Sequence, residues 1–425
     1  TVARAGTDSS AAVQGRALMQ DVLLRSQLDD KSFFGDILSS LGGAGGAGLR
    51  VALAVPITGK YAEIGQKIAR GAGAAQWQLA ASGLDLEIRV VNTDADGWVG
   101  RLAALPGEWS VVGGPLTVEG FKAMADAGVL KRRAVFSFLP GLGEFAEGRD
   151  AWRFFSSRED EVRALLDLCI HRLGITRFGV LAPEEDFGSR MRDIFTRLAM
   201  QEGGSITGSA TYPPGEHTEW ARRVARVLGV PAAIDKHALT PEPRFGAVFL
   251  PDGWNQAQLL VPNFFYYDAA DMVYLGPNLW SRSLDQVGEA ERNYFRLAVC
   301  PGAWWPETSG AEALQAELDA QGLGAADYWV ALGYDFTRMA SVLGPLPGAP
   351  AADEVNHRLA RVASMTFSMA PVSYTADGVA MQRQYLFAPG SDGKRLADPE
   401  ELRRGVEHAR NLRQNRQEQM KKTRP

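Results

Sequence analysis

From Leu49 onward, short β-rich apolar runs alternate with stretches of helical spacing, and this alternation restricts the chain more than any other feature. The runs are VALAVP (51–56), LEIRVVN (86–92), WSVVGG (109–114) and AVFSF (134–138), then RFGVLAP (177–183), SITGSATY (205–212), FGAVFLP (245–251) and MVYLGP (272–277). Ile64, Ile68, Ala72, Ala75 and Leu79 recur at helical spacing after the first run, as do Met191, Ile194, Phe195 and Leu198 after the fifth. Strands that are apolar at nearly every position must be covered on both faces, the condition of a parallel sheet between helices. A helical stretch at 160–173 separates two sets of runs, each sufficient for one doubly wound layer, so the predicted class is α/β with two lobes in sequence.

Residues 1–41 carry helical spacing alone (Leu18, Val22, Leu23, Leu28, then Phe33, Phe34, Ile37, Leu38), and LGGAGGAG (41–48) reads as a linker. Its Gly43, Gly45 and Gly48 satisfy a G-x-G-x-x-G pattern, but a dinucleotide loop follows a strand and these glycines precede one. Beyond Pro277 comes a Trp- and Pro-rich segment (279–307), then helices at 311–320, 327–343 and 353–363. A hairpin pair, ASMTFSM (363–369) and MQRQYLFAP (381–389), is predicted to turn through Ala376, Asp377 and Gly378. The expected division is a leader and linker at 1–48, a first lobe of 49–158 with about 279–345, a second of 159–278 with about 346–398, and a tail at 399–425. That tail begins helical and ends basic, and a solvated, frayed end is expected of it.

A net charge of −5 over 425 residues provides no basic field for nucleic acid, which is excluded as a partner. Two cysteines, Cys169 and Cys300, rule out a disulfide scaffold or a multi-cysteine metal site; burial is expected of both. No run of about 18 apolar residues spans a membrane. A first residue of Thr rather than Met fits a processed start from which a targeting segment has been removed. Asn92, Asp94, Asp96 and Gly97 imitate the front of a calcium loop, but its twelfth position is Ala103; capping the following helix accounts for them. Glu184, Glu185 and Asp186 likewise suit a helix N-terminus. No G-x-S-x-G, P-loop or H-E-x-x-H occurs, the five histidines are scattered, and neither metal, cofactor nor catalytic activity is expected.

The stretch VALAVPITGKYAEIGQKIARGAGAA (51–75) resembles the opening of type I periplasmic binding proteins, which include the branched-chain amino acid receptors of ABC transporters. The similarity recurs at 111–129, 134–141, 177–195 and 273–280, covering roughly Leu49 to Pro389. It implies two flavodoxin-like lobes joined by three crossings, with a ligand cleft between them. Ligands of open parallel sheets sit beyond the carboxyl ends of the strands, where helix N-termini offer N–H groups to an anion.

By that resemblance Thr117 matches a hydroxyl that meets a ligand carboxylate, and the loop Ser137 to Gly141, with Leu139, matches partners of the ammonium. Phe187 and Trp254 match aromatics that close over the ligand, and Asn278 matches its acidic partner. Two departures stand out: Gly141 replaces a Thr and Asn278 a Glu, so an α-amino acid lacks its usual charged partner. Thr117 is equally placed to cap the helix after it, Trp254 reads as core or lid, and Tyr61 in the first loop faces the ligand or simply packs. Trp280, Trp304 and Trp305 are expected to pack the crossings.

The function implied is an extracytoplasmic receptor for a small polar solute bearing a carboxylate, partnered by a membrane permease. The alternative is a regulatory lipoprotein resembling the activators of penicillin-binding proteins, which place helical repeats ahead of such a domain and act on a cell-wall synthase.

Overall fold

The computed structural model describes residues 48–232 and 242–422. The helical leader expected before Gly48, His237 and the last three residues lie outside them. In chain order come β1 (Leu49–Val55), α1 (Ala62–Ala81), β2 (Leu86–Asn92), α2 (Trp98–Ala104), β3 (Val111–Gly113), α3 (Val118–Asp126), β4 (Ala134–Ser137) and β5 (Trp152–Arg153). Next are α4 (Arg158–Leu166), running into a π-helical turn at Asp167–Arg172, then β6 (Arg177–Pro183), α5 (Asp186–Gln201), β7 (Ser205–Tyr212), α6 (His217–Leu228), β8 (Ala247–Phe249), α7 (Trp254–Tyr266) and β9 (Val273–Leu275). The remainder comprises α8 (Glu289–Phe295), β10 (Ala298–Gly302), α9 (Ser309–Gln321), α10 (Tyr328–Leu343), α11 (Ala352–Leu359), β11 (Val372–Tyr374), β12 (Ala380–Gln382), β13 (Tyr385–Gly390), β14 (Gly393–Leu396) and α12 (Pro399–Lys422).

The chain folds as two compact units: the described residues through Ser157 with Ala303–Arg383, and Arg158–Gly302 with the residues from Gln384 onward. The first unit is built on a parallel sheet ordered β2-β1-β3-β4-β5. Its strands are apolar at successive positions because each face has its own core. Val51, Leu53 and Val55 pack with α1, α9, α10 and α11, while Ala52 and Ala54 pack with Leu102, Phe121 and Met124 from α2 and α3. The second unit's sheet is ordered β14-β13-β10-β9-β8-β6-β7, parallel except where β13 pairs antiparallel with β10 and β14. There Phe195 of α5 stacks on Phe249 of β8 with ring centroids 4.5 Å apart.

The division differs from expectation in two segments. Residues 279–302 join the second unit, because β10 pairs in parallel with β9 (Ala298 opposite Tyr274) and extends that sheet. Residues 346–383 join the first, because Val355, Leu359, Val362, Phe367, Met369 and Val372 complete its larger core. The hairpin also shifts. Its turn does run through Asp377 and Gly378, with the Gly378 N–H donating to Thr375 O at 2.9 Å, but the first strand is β11 and the second β12, and 385–390 continues as β13 of the other unit. Residues 363–369 are not a strand because the buried Asp335 carboxylate binds their backbone: Ser368 N–H donates at 2.9 Å and Met369 N–H at 2.9 Å. Within the described residues the tail is helical through Lys422 rather than frayed. Helix α12 buries Leu402, Ala409 and Arg413, and the Arg413 guanidinium lies 3.4 Å from Asp271 and 3.7 Å from Asp268. Cys169 and Cys300 are buried free thiols, both pushed up by burial.

What closes the first unit is the contact of α10 with α1. A Cβ added at Gly71 would lie 1.9 Å from Val330 O, and one at Gly333 would lie 1.9 Å from Ile68 O, so the two backbones touch where neither helix has a side chain. Gly333→Ala is expected to destabilise the protein by about 3 kcal/mol or more, because the helices must separate and leave voids among Ile68, Ala72, Phe336 and Met339; urea unfolding measures it.

Asp335 gives a second test. Burial, opposed by the Met369 and Ser368 amides and by Arg338, raises its carboxyl to about 6 from the ordinary 3.8. The folded value lies above the unfolded one, so the associated stabilisation is complete below 3.8 and is lost as pH rises through about 6. Unfolding free energies between pH 4 and 6 should fall in the wild type by up to about 1.4 kcal/mol per unit relative to Asp335→Asn.

Candidate functional site

In the first unit, the loops at the carboxyl ends of the strands are tied to one another by a short polar network. Asn92, at the end of β2, accepts from the Ile57 N–H at 2.9 Å and donates to Thr58 Oγ1 at 2.9 Å, and Thr58 donates to Asp94 at 3.2 Å. Asn92 and Asp94 therefore brace the loop after β1 rather than cap α2, whose N-cap is Gly97 with no side-chain bond. Among the described residues no group of three metal-ligating side chains forms.

Thr117 is the N-cap of α3, and its Oγ1 accepts from the Gly120 N–H at 3.1 Å while the hydroxyl keeps its own hydrogen as a donor. Beside it Val118 is 65% exposed, an apolar side chain in water at a helix N-terminus. Tyr61, the N-cap residue of α1, is also exposed, with Lys60 Nζ 5.1 Å from its ring centre. Ser137 ends β4 fully buried, its hydroxyl without a partner among the described residues, and Leu139 is buried with it. Gly141 is exposed, with open space where a side chain would stand.

At the carboxyl ends of the second unit's strands, Asp252 is the organiser. Its carboxylate accepts from the Tyr212 hydroxyl and from the Gly253 N–H at 2.6 Å, and its carbonyl accepts from Trp280 Nε1 at 2.8 Å. Burial and the adjacent Asp252 push the Tyr212 phenol up. Trp254, the first residue of α7, packs edge-on against Trp280 at 5.4 Å and against Phe295 at 4.5 Å, and keeps only 6% of its surface. Phe187, at the start of α5, is half-buried beneath the Arg158 guanidinium at 5.3 Å. Asn278 is exposed, and its N–H donates to Glu161 at 3.2 Å. Trp280 thus belongs to the second unit's interior, whereas Trp304 packs against the core of the first.

Sequence reasoning placed Thr117, Ser137, Leu139 and Gly141 on neighbouring loops of one unit and Phe187, Trp254 and Asn278 on those of the other. It missed Asp252 and Glu161. Asp252 had a signal, an acid directly after a β-run in FLPDG; Glu161 had none, being one of three acids in REDE. An open depression of about 670 Å³ lies against Ile206 and Ser209 of β7 and Thr196 and Met200 of α5, not at these loops.

Residues 48–233 match the periplasmic binding protein family. The fold is that of the periplasmic binding proteins. Among solved structures, an ABC transporter substrate-binding protein from Desulfitobacterium hafniense aligns at TM-score 0.60 and 11% identity, covering 82% of this chain and 99% of that one. A substrate-binding protein from the same organism in complex with Leu aligns at 0.57 and 12%, covering 82% and 99%. The C-domain of LpoA from Haemophilus influenzae, a regulator of PBP1A, aligns at 0.58 and 12%, covering 82% and 100%. No curated protein matches the sequence. The resemblance seen in the sequence is therefore matched both by the family model over residues 48–233 and by the fold. Among the described residues no helix is long and apolar enough to cross a membrane.

The Thr117 cap separates two roles. Thr117→Ala should cost about 1 kcal/mol of stability through the lost Gly120 bond, and Thr117→Ser almost none, read by thermal unfolding.

Proposed function

We propose that this protein is an extracytoplasmic, non-enzymatic receptor that binds a small polar solute through a carboxylate and passes it to an ABC-type permease. The observation that supports this most is the family match, which runs through the loops following β1, β3, β4 and β6. The loops after β1, β3 and β6 open directly into helices, and helix N-termini favour negative charge. Tyr61 and Val118 add exposed apolar surface next to them, which suits a solute with a hydrocarbon portion.

A second reading is a regulator of a cell-wall synthase. Trp254 favours it, since an aromatic held between Trp280 and Phe295 has little surface left for a solute, and the LpoA domain shares the fold over its whole length.

Thermal unfolding against amino acids, small carboxylates, aromatic acids and cell-wall peptides, after an unfold–refold cycle to strip bound ligand, distinguishes the two. A specific solute at 100 times its Kd should add about 2.7 kcal/mol to the folded state, and Tyr61→Ala should weaken that shift. No shift from any solute would overturn the receptor reading and leave the regulator.

A further inference from the structure

The C-terminal stretch carries a charge that the chain as a whole conceals. Residues 402–425 hold eight Lys and Arg against Glu407 and Glu418, a net +6, while the whole chain is −5, so the other residues carry −11. The fold puts this excess in one place, because α12 lies across the amino ends of the second unit's strands. Arg403 donates to Arg172 O ahead of β6, an added Cβ at Gly405 would lie 2.7 Å from Leu297, and Arg413 pairs with Asp271. Leu297 and Asp271 stand directly ahead of β10 and β9. The same end of the sheet holds Arg177, the first residue of β6, with Arg244 just before β8 and Arg296 just before β10.

Arg413 and Arg416 turn their charge inward onto Asp268 and Asp271. The other cations do not. Arg404, Arg410, Lys421 and Lys422 on α12, and Arg177, Arg244 and Arg296 at the strand ends, are exposed, and none of them has an ion-pair partner among the described residues. The exposed Glu407 and Glu418 on α12 and Glu242 before β8 offset only part of this charge.

These cations are strung along a helix of 24 residues, about 36 Å long, and over three strand ends, rather than gathered at one point. A dispersed set reads the field of an extended anion, not the shape of a compact one. A protein partner calls for an apolar centre to the interface, and the large apolar side chain that α12 exposes is Leu412 alone, at 44%. Single-stranded nucleic acid calls for aromatic platforms, and α12 contains no Phe, Tyr or Trp. Lipid headgroups ask only for charge at the surface, each nearby Lys or Arg strengthening binding about fivefold.

We propose that the amino-end face of the second unit, formed by α12 with Arg177, Arg244 and Arg296, docks reversibly on an anionic phospholipid surface. The carboxyl-end loops, with Asp252 and Trp254, lie at the other end of the same strands and are left uncovered, so the docking does not depend on what those loops bind. Attraction of this kind fades over about 10 Å at 0.1 M salt and over about 3 Å at 1 M, which makes the contact salt-sensitive.

Co-sedimentation of the full chain with vesicles tests it, comparing phosphatidylcholine alone with phosphatidylcholine containing phosphatidylglycerol. At 50 mM NaCl the protein should sediment with the anionic vesicles and not with the neutral ones, and 0.5 M NaCl should release it. The triple variant Arg404→Gln, Arg410→Gln, Lys422→Gln should bind at least about tenfold more weakly. The charge-matched control Lys122→Gln, Lys131→Gln, Arg361→Gln, made at exposed positions of the first unit, should bind as the wild type does. Both variants alter only exposed side chains, and circular dichroism confirms that they fold. Equal sedimentation with neutral vesicles, or equal weakening in the control, overturns the proposal. So does release by 10 mM inorganic phosphate at matched ionic strength, which indicates a compact phosphate site. If the anionic vesicles fail while polyglutamate or DNA binds, the face serves another polyanion and the assignment to lipid is overturned.

Discussion

The approach of α10 to α1 governs the first unit. The sheet β2-β1-β3-β4-β5 has one face that α2 and α3 cover from within the first stretch of chain, and another that α1 covers only in part. The rest of that face is supplied by α9, α10 and α11, which arrive after the chain has built most of the second unit. They fit only because Gly71 and Gly333 let two helical backbones touch at Val330 and Ile68. Buried aromatics then fill the space behind the contact, with Phe336 meeting Phe138 at 5.4 Å and Phe154 at 5.7 Å. Asp335, one helical position away, fixes the exit of the same segment by its bonds to Ser368 and Met369.

The carboxyl-end loops of each unit are held by their own polar groups before any solute arrives. Asn92 and Thr58 brace the first unit, and Asp252 draws Tyr212, Gly253 and Trp280 together in the second. Such internal satisfaction pre-organises the loops, and a pre-organised site loses less entropy on binding. The capping hydroxyl of Thr117 accepts one bond and keeps its own hydrogen as a donor, while the Trp254 indole keeps little exposed surface. Tyr61 and Val118 are the exposed apolar side chains at the loops of the first unit.

A fold by itself does not fix a function, and the structures that share this one include an ABC transporter substrate-binding protein and a regulator of PBP1A.

The sequence by itself determined the strand–helix alternation, the eight principal strands and the turn at Asp377 and Gly378, because apolar periodicity and turn chemistry are local properties that each segment carries alone. It also determined the family resemblance, through VALAVPITG and the loops that follow. Only the tertiary structure decided which unit receives 279–302 and 346–383, that the tail helix docks through Arg413, and that Glu161 meets Asn278. The physical reason is that these outcomes depend on tertiary partners, some of them more than a hundred residues away, such as Arg413 with Asp271 or Glu161 with Asn278, and no local pattern encodes such a contact.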